Sequence, residues 1–132
     1  AFTQNLTVQV SNSFRAPTLN SIPNQNVIAG SAITPVQAVA SSPDAEALTY
    51  SCKYDTLLDD SVSDAAADCG TLLNQDSSSA TLTAGGLFTW TPRFVDAGTT
   101  FEMRMRVTGA TSGLTATRIF RIAVGYPPPS PS

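Results

Sequence analysis

The stretch that most constrains the fold runs from Gly85 to Gly98 and contains the only tryptophan of the chain. Phe88 and Trp90 are two positions apart, so they point to the same side of an extended strand. Two glycines precede this strand, and Pro92 cannot continue it as a central strand because proline has no backbone N–H to donate. The segment therefore predicts a short core strand bounded by turns, with Phe88 and Trp90 in the core.

Three further stretches alternate apolar and polar residues with the period of a half-buried strand. They run from Leu48 to Tyr54, from Phe101 to Val107 and from Phe120 to Val124. Turn residues separate the strands at short intervals and no long helical pattern competes, which is typical of an all-β sandwich. The predicted core comprises the inward residues Leu48, Tyr50, Phe88, Trp90, Phe101, Met103, Met105, Phe120, Ile122 and Val124.

Length and charge narrow the classes of function. The 132 residues suffice for one domain with a single core. Ten acidic residues against seven basic ones disfavour nucleic-acid binding. No apolar run is long enough to cross a membrane and no leader opens the chain, so we expect a soluble mature or excised piece. Histidine is absent, which removes the commonest general base and metal ligand, so we expect neither an enzyme nor a cofactor.

Cys52 and Cys69 are predicted to form a disulfide that tethers the long irregular loop 55–79. Two thiols without histidine are too few ligands for a metal site, and a redox pair normally has a closer spacing. Such a crosslink would stabilise the fold by roughly 3 kcal/mol and implies an oxidising compartment. Two buried free thiols are the alternative. Within the loop, Ser61 to Asp68 is compatible with a turn or two of helix.

The chain divides into three predicted segments. Residues 1–16 are an N-terminal strand and linker, residues 17–125 form the sandwich, and residues 126–132 are a proline- and serine-rich spacer. A recurrence indicates that the first strand is equivalent to the last strand of a preceding repeat in a tandem array. Leu6, Val8, Val10 and Pro17 recur, each 114 positions later, as Phe120, Ile122, Val124 and Pro131. Chance is the alternative, because alternating strands followed by proline are common.

Several short motifs carry a family resemblance. They are Pro17-Thr18-Leu19, Ile22 to Gln25, Gly30, Pro43 to Tyr50, Phe88 to Pro92, Asp96 to Gly98 and Phe120 to Val124. Together they resemble the immunoglobulin-like domains, related to cadherin-like and dystroglycan-type modules, of extracellular multidomain proteins. The resemblance implies a Greek-key sandwich, export, tandem arrangement and adhesive or architectural work rather than catalysis. The loop between Cys52 and Cys69 departs from the family pattern.

The resemblance also implies candidate calcium ligands. Cadherin-like relatives hold calcium between domains with loop carboxylates, and the matching residues here are Asp44, Glu46 and Asp96. Ser42 and the pair Thr108-Gly109 stand where further acidic residues are expected in the family, so the set is incomplete. No metal site is favoured, and solvated turn carboxylates are the alternative.

Charged residues should lie together on the outer face of the sheet. Arg104, Arg106 and Arg121 are predicted to share that face, with Glu102 beside them. Such a group can hold an anionic glycan or an acidic neighbour through charge-assisted hydrogen bonds. The alternative, which we favour from the sequence, is an ordinary solvated face, because charged side chains are usually exposed.

Two kinds of glycosylation site are predicted at the ends of the chain. Asn5 lies in an Asn-Leu-Thr acceptor motif. The tail resembles the linkers of hydroxyproline-rich matrix and cell-wall glycoproteins, which makes Pro127, Pro128, Pro129 and Ser130 candidates for modification and O-linked sugars.

We therefore expect a non-enzymatic structural or assembly module of an extracellular multidomain protein, in a fibre, matrix or surface appendage. Its expected partners are neighbouring domains or copies of the same protein, with no nucleic acid and no membrane insertion. The first strand, residues 1–11, is expected to pair with a neighbouring copy by strand addition. The alternative is an adhesion or recognition module that binds a glycan or a protein receptor through loop 55–79.

Overall fold

A computed structural model describes residues 14–127. This part of the chain contains ten strands, two short 3-10 turns and no α-helix. No helix in the described range is long and apolar enough to span a bilayer. The strands are β1 Thr18–Leu19, β2 Gln25–Ile28, β3 Val36–Gln37, β4 Ala40–Ser41, β5 Leu48–Asp55, β6 Ala67–Asp68, β7 Thr81–Leu82, β8 Leu87–Thr89, β9 Thr100–Gly109 and β10 Thr115–Gly125.

Some of the predicted features lie outside the described residues. They are the first strand, residues 1–11, the Asn5 acceptor motif, and Pro128, Pro129 and Ser130 of the tail. The division into segments 1–16, 17–125 and 126–132 stays a prediction.

The strands form one large sheet and two small ones. The large sheet has the order β2-β10-β9-β5-β6, and the small sheets are β3-β8-β7 and β1-β4. The short edge strand β2 is parallel to β10, whereas β9 pairs in antiparallel fashion with both β10 and β5. Apolar residues of all three sheets meet in one core. The predicted all-β sandwich is confirmed.

Trp90 lies at the centre of this core and is 1% exposed. Its ring meets the edge of Phe101, with ring centroids 5.0 Å apart and planes at 82°. Its indole N–H donates to the backbone carbonyl of Leu73 at 3.0 Å, which satisfies the one polar atom of the side chain.

The other predicted core residues occupy two kinds of position. The fully buried ones are Phe88, Phe101, Met103, Met105, Phe120, Ile122 and Val124. Leu48 and Tyr50 are only half-buried and pack against the rim of the core. They lie at the beginning of β5, where Leu48 is paired with Gly109, a residue that offers no side chain to cover it.

The predicted disulfide is confirmed. Cys52 in β5 is bonded to Cys69, with 5.3 Å between their Cα atoms, and both residues are buried. The alternative of two free thiols is wrong, since no described cysteine is free. The expected helix over Ser61 to Asp68 is also wrong. The segment instead ends in β6, which pairs with Lys53 and Tyr54 of β5, so sheet pairing prevails over the helix propensity of the alanines.

Candidate functional site

The outer face of the large sheet carries a group of paired charged side chains. Glu102 on β9 is paired in register with Arg121 on β10 and with Asp55 on β5. Arg104 is paired with Lys53, so two cations are direct cross-strand neighbours. Like charges in this position repel, and with Arg106 and Arg121 the face has four cations against two carboxylates, so additional negative charge stabilises it.

The connection between β5 and β6 supplies that charge. Residues 56–66, which we call the strap, fold back over the outer face instead of extending into solvent. The backbone N–H groups of Asp59 and Asp60 donate to the two carboxylate oxygens of Glu102, at 3.1 and 2.9 Å. Val62, also in the strap, is buried. Glu102 itself is 0% exposed beneath these contacts.

Two residues of the strap adopt a left-handed backbone conformation. Leu58 has φ 56° and Asp60 has φ 65°. This conformation costs about 1 kcal/mol for a residue other than glycine. It curls the backbone so that the successive amides of Asp59 and Asp60 converge on one carboxylate, as in an anion-binding nest. The strain therefore accompanies the contact that fixes the strap to Glu102.

The arginines of β9 hold the middle of the strap. Arg104 donates through Nη1 to the carbonyl of Val62 at 2.7 Å and forms an ion pair of 2.9 Å with Asp64. Arg106 binds the same Asp64 oxygen at 3.2 Å. The hydrogen bond from Arg104, with the attraction of both guanidinium groups, lowers the pKa of Asp64 below its usual value.

The two ends of the strap are held in the same way. At its beginning, Nη2 of Arg121 donates to the carbonyl of Leu58 and to the carboxylate of Asp60, both at 3.1 Å. At its end, Nζ of Lys53 donates to the carbonyl of Ala66 at 3.2 Å and pairs with Asp68 at 3.0 Å. Each cation of this face thus already has an acidic partner from the loop.

These contacts correct the expectation of an ordinary solvated face. Glu102 is fully buried, Arg104 is only 8% exposed, and Arg106 and Arg121 are half-buried. The prediction that they share one outer face is right, but water is replaced there by the strap. Sequence reasoning missed this because the strap is polar and charged. A signal was present in the number of aspartates between Asp55 and Asp68, opposite a face with four basic residues.

One group of carboxylates in the described residues has the spacing of a metal site. Three residues each place one carboxylate oxygen within 4.8 Å of the other two oxygens; they are Asp55, Asp59 and Glu102. Both oxygens of Glu102 accept backbone hydrogen bonds, and Arg121 adds a third donor at 3.3 Å. The carboxylate with the deepest position is therefore already occupied by donors of the protein.

Two of the calcium candidates from the sequence bind backbone amides. Asp44 accepts a hydrogen bond of 2.6 Å from the N–H of Arg15, which lowers its pKa, and pairs with the Arg15 guanidinium at 3.2 Å. Glu46 accepts hydrogen bonds from the N–H groups of Thr111 and Ser112 and from the Ser112 hydroxyl, at 2.9 to 3.0 Å. The Ser112 amide makes the largest contribution to a lowered pKa of Glu46.

The third candidate, Asp96, caps the 3-10 turn Phe94–Asp96 and accepts a hydrogen bond of 3.0 Å from the N–H of Arg93. Within residues 14–127, Asp44, Glu46 and Asp96 do not form a cluster with metal-ligand spacing. The structure also explains why position 109 is a glycine. The carboxylate of Glu46 lies where a Cβ atom at this position would be.

An open groove lies between the segment before β2 and β3, with a volume of about 280 Å³. Its lining includes Ile22 and Val36, and the Gln25 side chain in the lining forms hydrogen bonds of 2.8 and 2.9 Å with the backbone of Thr34. None of the lining residues in the described chain is titratable. The groove therefore offers no general acid or base.

Comparisons with known proteins bear on the fold. No protein-family model matches the chain, and no curated protein matches it either. A titin M10–obscurin-like 1 immunoglobulin complex is similar with 14% identity and a TM-score of 0.50 over 89% of this chain and all of the other. Drosophila N-cadherin EC1-3 has 11% identity and a TM-score of 0.55, over 86% of this chain and 35% of the other. A nucleoside hydrolase-related hypothetical protein from Saccharophagus degradans, associated with carbohydrate metabolism, has 18% identity and a TM-score of 0.56, over 85% and 26%.

These likenesses show the fold. The chain is an immunoglobulin-like β-sandwich that shares its architecture with cadherin domains. It spans about a third of the length of the cadherin chain and about a quarter of the length of the hydrolase-related chain.

Proposed function

We propose that this immunoglobulin-like domain is a non-enzymatic structural module of an extracellular multidomain protein, serving in a fibre, matrix or surface appendage. The observation that carries the proposal is the strap. The outer face of the large sheet would otherwise offer four cations to a ligand, but each of them is paired with a carboxylate of the domain's own loop. The charged side chains of this face therefore hold the strap on the sheet.

The state of the carboxylates supports the absence of catalysis. A general acid needs a raised pKa and a carboxyl group that can reach a substrate. The pKa values of Asp44, Glu46 and Asp64 are instead lowered by hydrogen bonds from the protein, so these groups stay ionised. Glu102 is buried under the strap, out of contact with solvent.

The disulfide supports an extracellular setting. Bonds of this kind persist in oxidising compartments and are rare in the cytosol. Cys52 and Cys69 close the loop that contains the strap, so an oxidised pair limits how far the strap can move from the sheet. Asn5, Ser130 and the tail prolines are of residue types that are modified in exported proteins. Their modification stays a prediction.

Recognition of a glycan or a protein receptor is the competing function. One observation favours it: Leu57, on the outward side of the strap, is 73% exposed. An exposed leucine beside acidic residues offers an apolar contact for a ligand, whereas the inward contacts of the strap do not.

A pair of variants separates the two functions. Leu57→Ser changes the outward side of the strap, and Glu102→Gln changes its inward anchor. A structural module should bind no glycan or receptor above background on an array, lose stability with Glu102→Gln and keep its stability with Leu57→Ser. Binding by the native domain that Leu57→Ser abolishes without a change in stability would instead establish recognition.

A further inference from the structure

The outer face holds the strap in the way that a protein holds a peptide ligand. Two successive backbone amides, those of Asp59 and Asp60, donate to the buried carboxylate of Glu102. Cations of the face donate to backbone carbonyls of the strap at three positions, which are Leu58, Val62 and Ala66. Amides and carbonyls are common to every polypeptide, so these contacts recognise a peptide chain as such.

Three side chains of the strap add selectivity to the backbone contacts. Asp60 pairs with Arg121 at 3.1 Å, and Asp64 pairs with Arg104 at 2.9 Å. Val62, midway between the two acidic residues, is 4% exposed although it lies outside the apolar core of the sandwich. The bound sequence therefore has the pattern acidic–x–apolar–x–acidic, with the apolar residue buried between two ion pairs.

The strap leaves part of the binding capacity of this face unused. Nε of Arg104 and Nε of Arg106 are buried, and no acceptor within residues 14–127 bonds to either of them. Solvent also screens the ion pairs, because the side chain of Asp64 is 77% exposed and that of Asp60 is 88% exposed. A segment with acceptors for both Nε atoms would satisfy donors that the strap does not.

The buried carboxylate at the centre of the face decides which class of ligand can replace the strap. Without the strap, Glu102 would lose two N–H donors and keep its negative charge. A polyanion that has no backbone amides would bring further negative charge to this carboxylate. An acidic peptide brings amides for Glu102 together with carboxylates for the four cations of the face.

We propose that this face is a binding site for an acidic peptide segment of a partner protein, and that the strap is a competitor built into the domain. The inference rests on the proposed structural function and names a class of partner for it. The strap is tethered by β5 and by the disulfide at Cys69, so it competes at a local concentration of about 1 mM. The native domain should therefore bind such a segment weakly, and a loosened strap should strengthen binding.

Fluorescence anisotropy with a labelled peptide tests the proposal. The probe has the sequence of residues 57–66, Leu-Leu-Asp-Asp-Ser-Val-Ser-Asp-Ala-Ala. The domain carries a loosened strap with the substitutions Asp60→Asn, Val62→Ser and Asp64→Asn. We expect this variant to bind the probe about tenfold more tightly than the native domain does, with a Kd below about 1 mM, because the competing segment is weakened.

The controls separate peptide recognition from an effect of net charge. Asp44→Asn/Asp76→Asn removes the same number of carboxylates and leaves the strap intact, so it should not strengthen binding of the probe. A scrambled probe should bind the loosened variant more weakly than the probe itself. Dextran sulfate, a polyanion without backbone amides, should bind the loosened variant and the charge-matched control alike.

Arginine variants of the loosened domain locate the probe on this face. Arg106→Gln should weaken binding of the probe about tenfold, because it removes a guanidinium group with an unused donor. Arg118→Gln removes a cation on the opposite side of β10 and should have no such effect. If the loosened domain fails to fold, as judged by near-UV circular dichroism, Asp64→Asn alone should strengthen binding by a smaller factor.

Several results would overturn the proposal. They are absence of probe binding up to about 1 mM, equal binding of the scrambled probe, and a gain for dextran sulfate over the charge-matched control as large as the gain for the probe. A native dimer that the probe disperses would also overturn it, because the strap of a second copy would then occupy the site. The stability of Glu102→Gln tests the structural function separately. A domain that depends on its strap but binds no probe would refute the peptide site alone.

Discussion

The two faces of β9 are both sealed from water, but by opposite chemistry. On the inner face, Phe101, Met103 and Met105 pack against apolar residues of the small sheets. On the outer face, Glu102 and Arg104 are covered by a loop that is held through hydrogen bonds and ion pairs. Apolar burial is not directional and tolerates small shifts, whereas the outer contacts depend on individual donors and acceptors. The inner face should therefore contribute more stability, and the outer face should respond more sharply to single polar changes.

The largest expected effect is on the inner face. Trp90→Ala should lower the free energy of unfolding by about 4 kcal/mol, because it removes a fully buried ring and leaves a cavity next to Phe101. Urea denaturation measures the loss, and Val95→Ala at an exposed position is the control. A loss below about 1 kcal/mol would mean that the apolar layer is not the main source of stability.

The tether of the strap comes next. Replacing both cysteines by alanine should lower the free energy of unfolding by about 3 kcal/mol, as expected for closure of a loop of this size. The variant should still fold, since the inner layer is intact. Equal stability of the reduced and oxidised native domain in the same denaturation assay would contradict this expectation.

A single polar change on the outer face should have a somewhat smaller effect. Glu102→Gln keeps the shape but leaves the amide of Asp59 or Asp60 opposite an N–H group instead of a carboxylate oxygen. We expect a loss of about 2 kcal/mol in the free energy of unfolding. Asp76→Asn, which changes a carboxylate that binds only Ser78, is the matched control. An unaffected Glu102→Gln domain would show that the strap contributes no stability.

Acid should have a smaller effect, through the strap carboxylate Asp64 and the loop carboxylate Glu46. Asp64 and Glu46 have lowered pKa values in the folded state, so their contribution is present above about pH 4 and is lost as the pH falls through the folded values. The melting temperature should therefore fall on acidification, and less so in Asp64→Asn and Glu46→Gln. The Asp64 part should also weaken in about 1 M salt, because that exposed carboxylate acts through ion pairs that salt screens. A melting temperature that does not change down to about pH 3 would contradict the lowered pKa values.

Period-two alternation was enough to predict the inner face. It identified Phe88, Trp90 and the alternating residues of β9 and β10, because burial on one face of a strand leaves a direct trace in the residue types. The disulfide followed from the absence of histidine and the spacing of the cysteines. These features depend on local pattern and composition alone.

The outer cover could not be predicted in this way. Its formation depends on the path of the strap. That path is set by the left-handed backbone conformation of Leu58 and Asp60, which cannot be predicted from these residue types. The crossing of the chain from β3 in one small sheet to β4 in the other is likewise not visible in the residue pattern. Both features depend on contacts between segments that are far apart in the sequence. In a single sequence these segments appear only as polar residues with no assigned partner.

Hydrogen exchange at the backbone amides of Asp59 and Asp60 tests the central claim most directly. If the strap seals the outer face, both amides are bonded to a buried carboxylate and should exchange about as slowly as the amides of β9. Exchange at the rate of an unstructured loop, with β9 still protected, would show that the sheet is open to solvent on that side and would contradict the account.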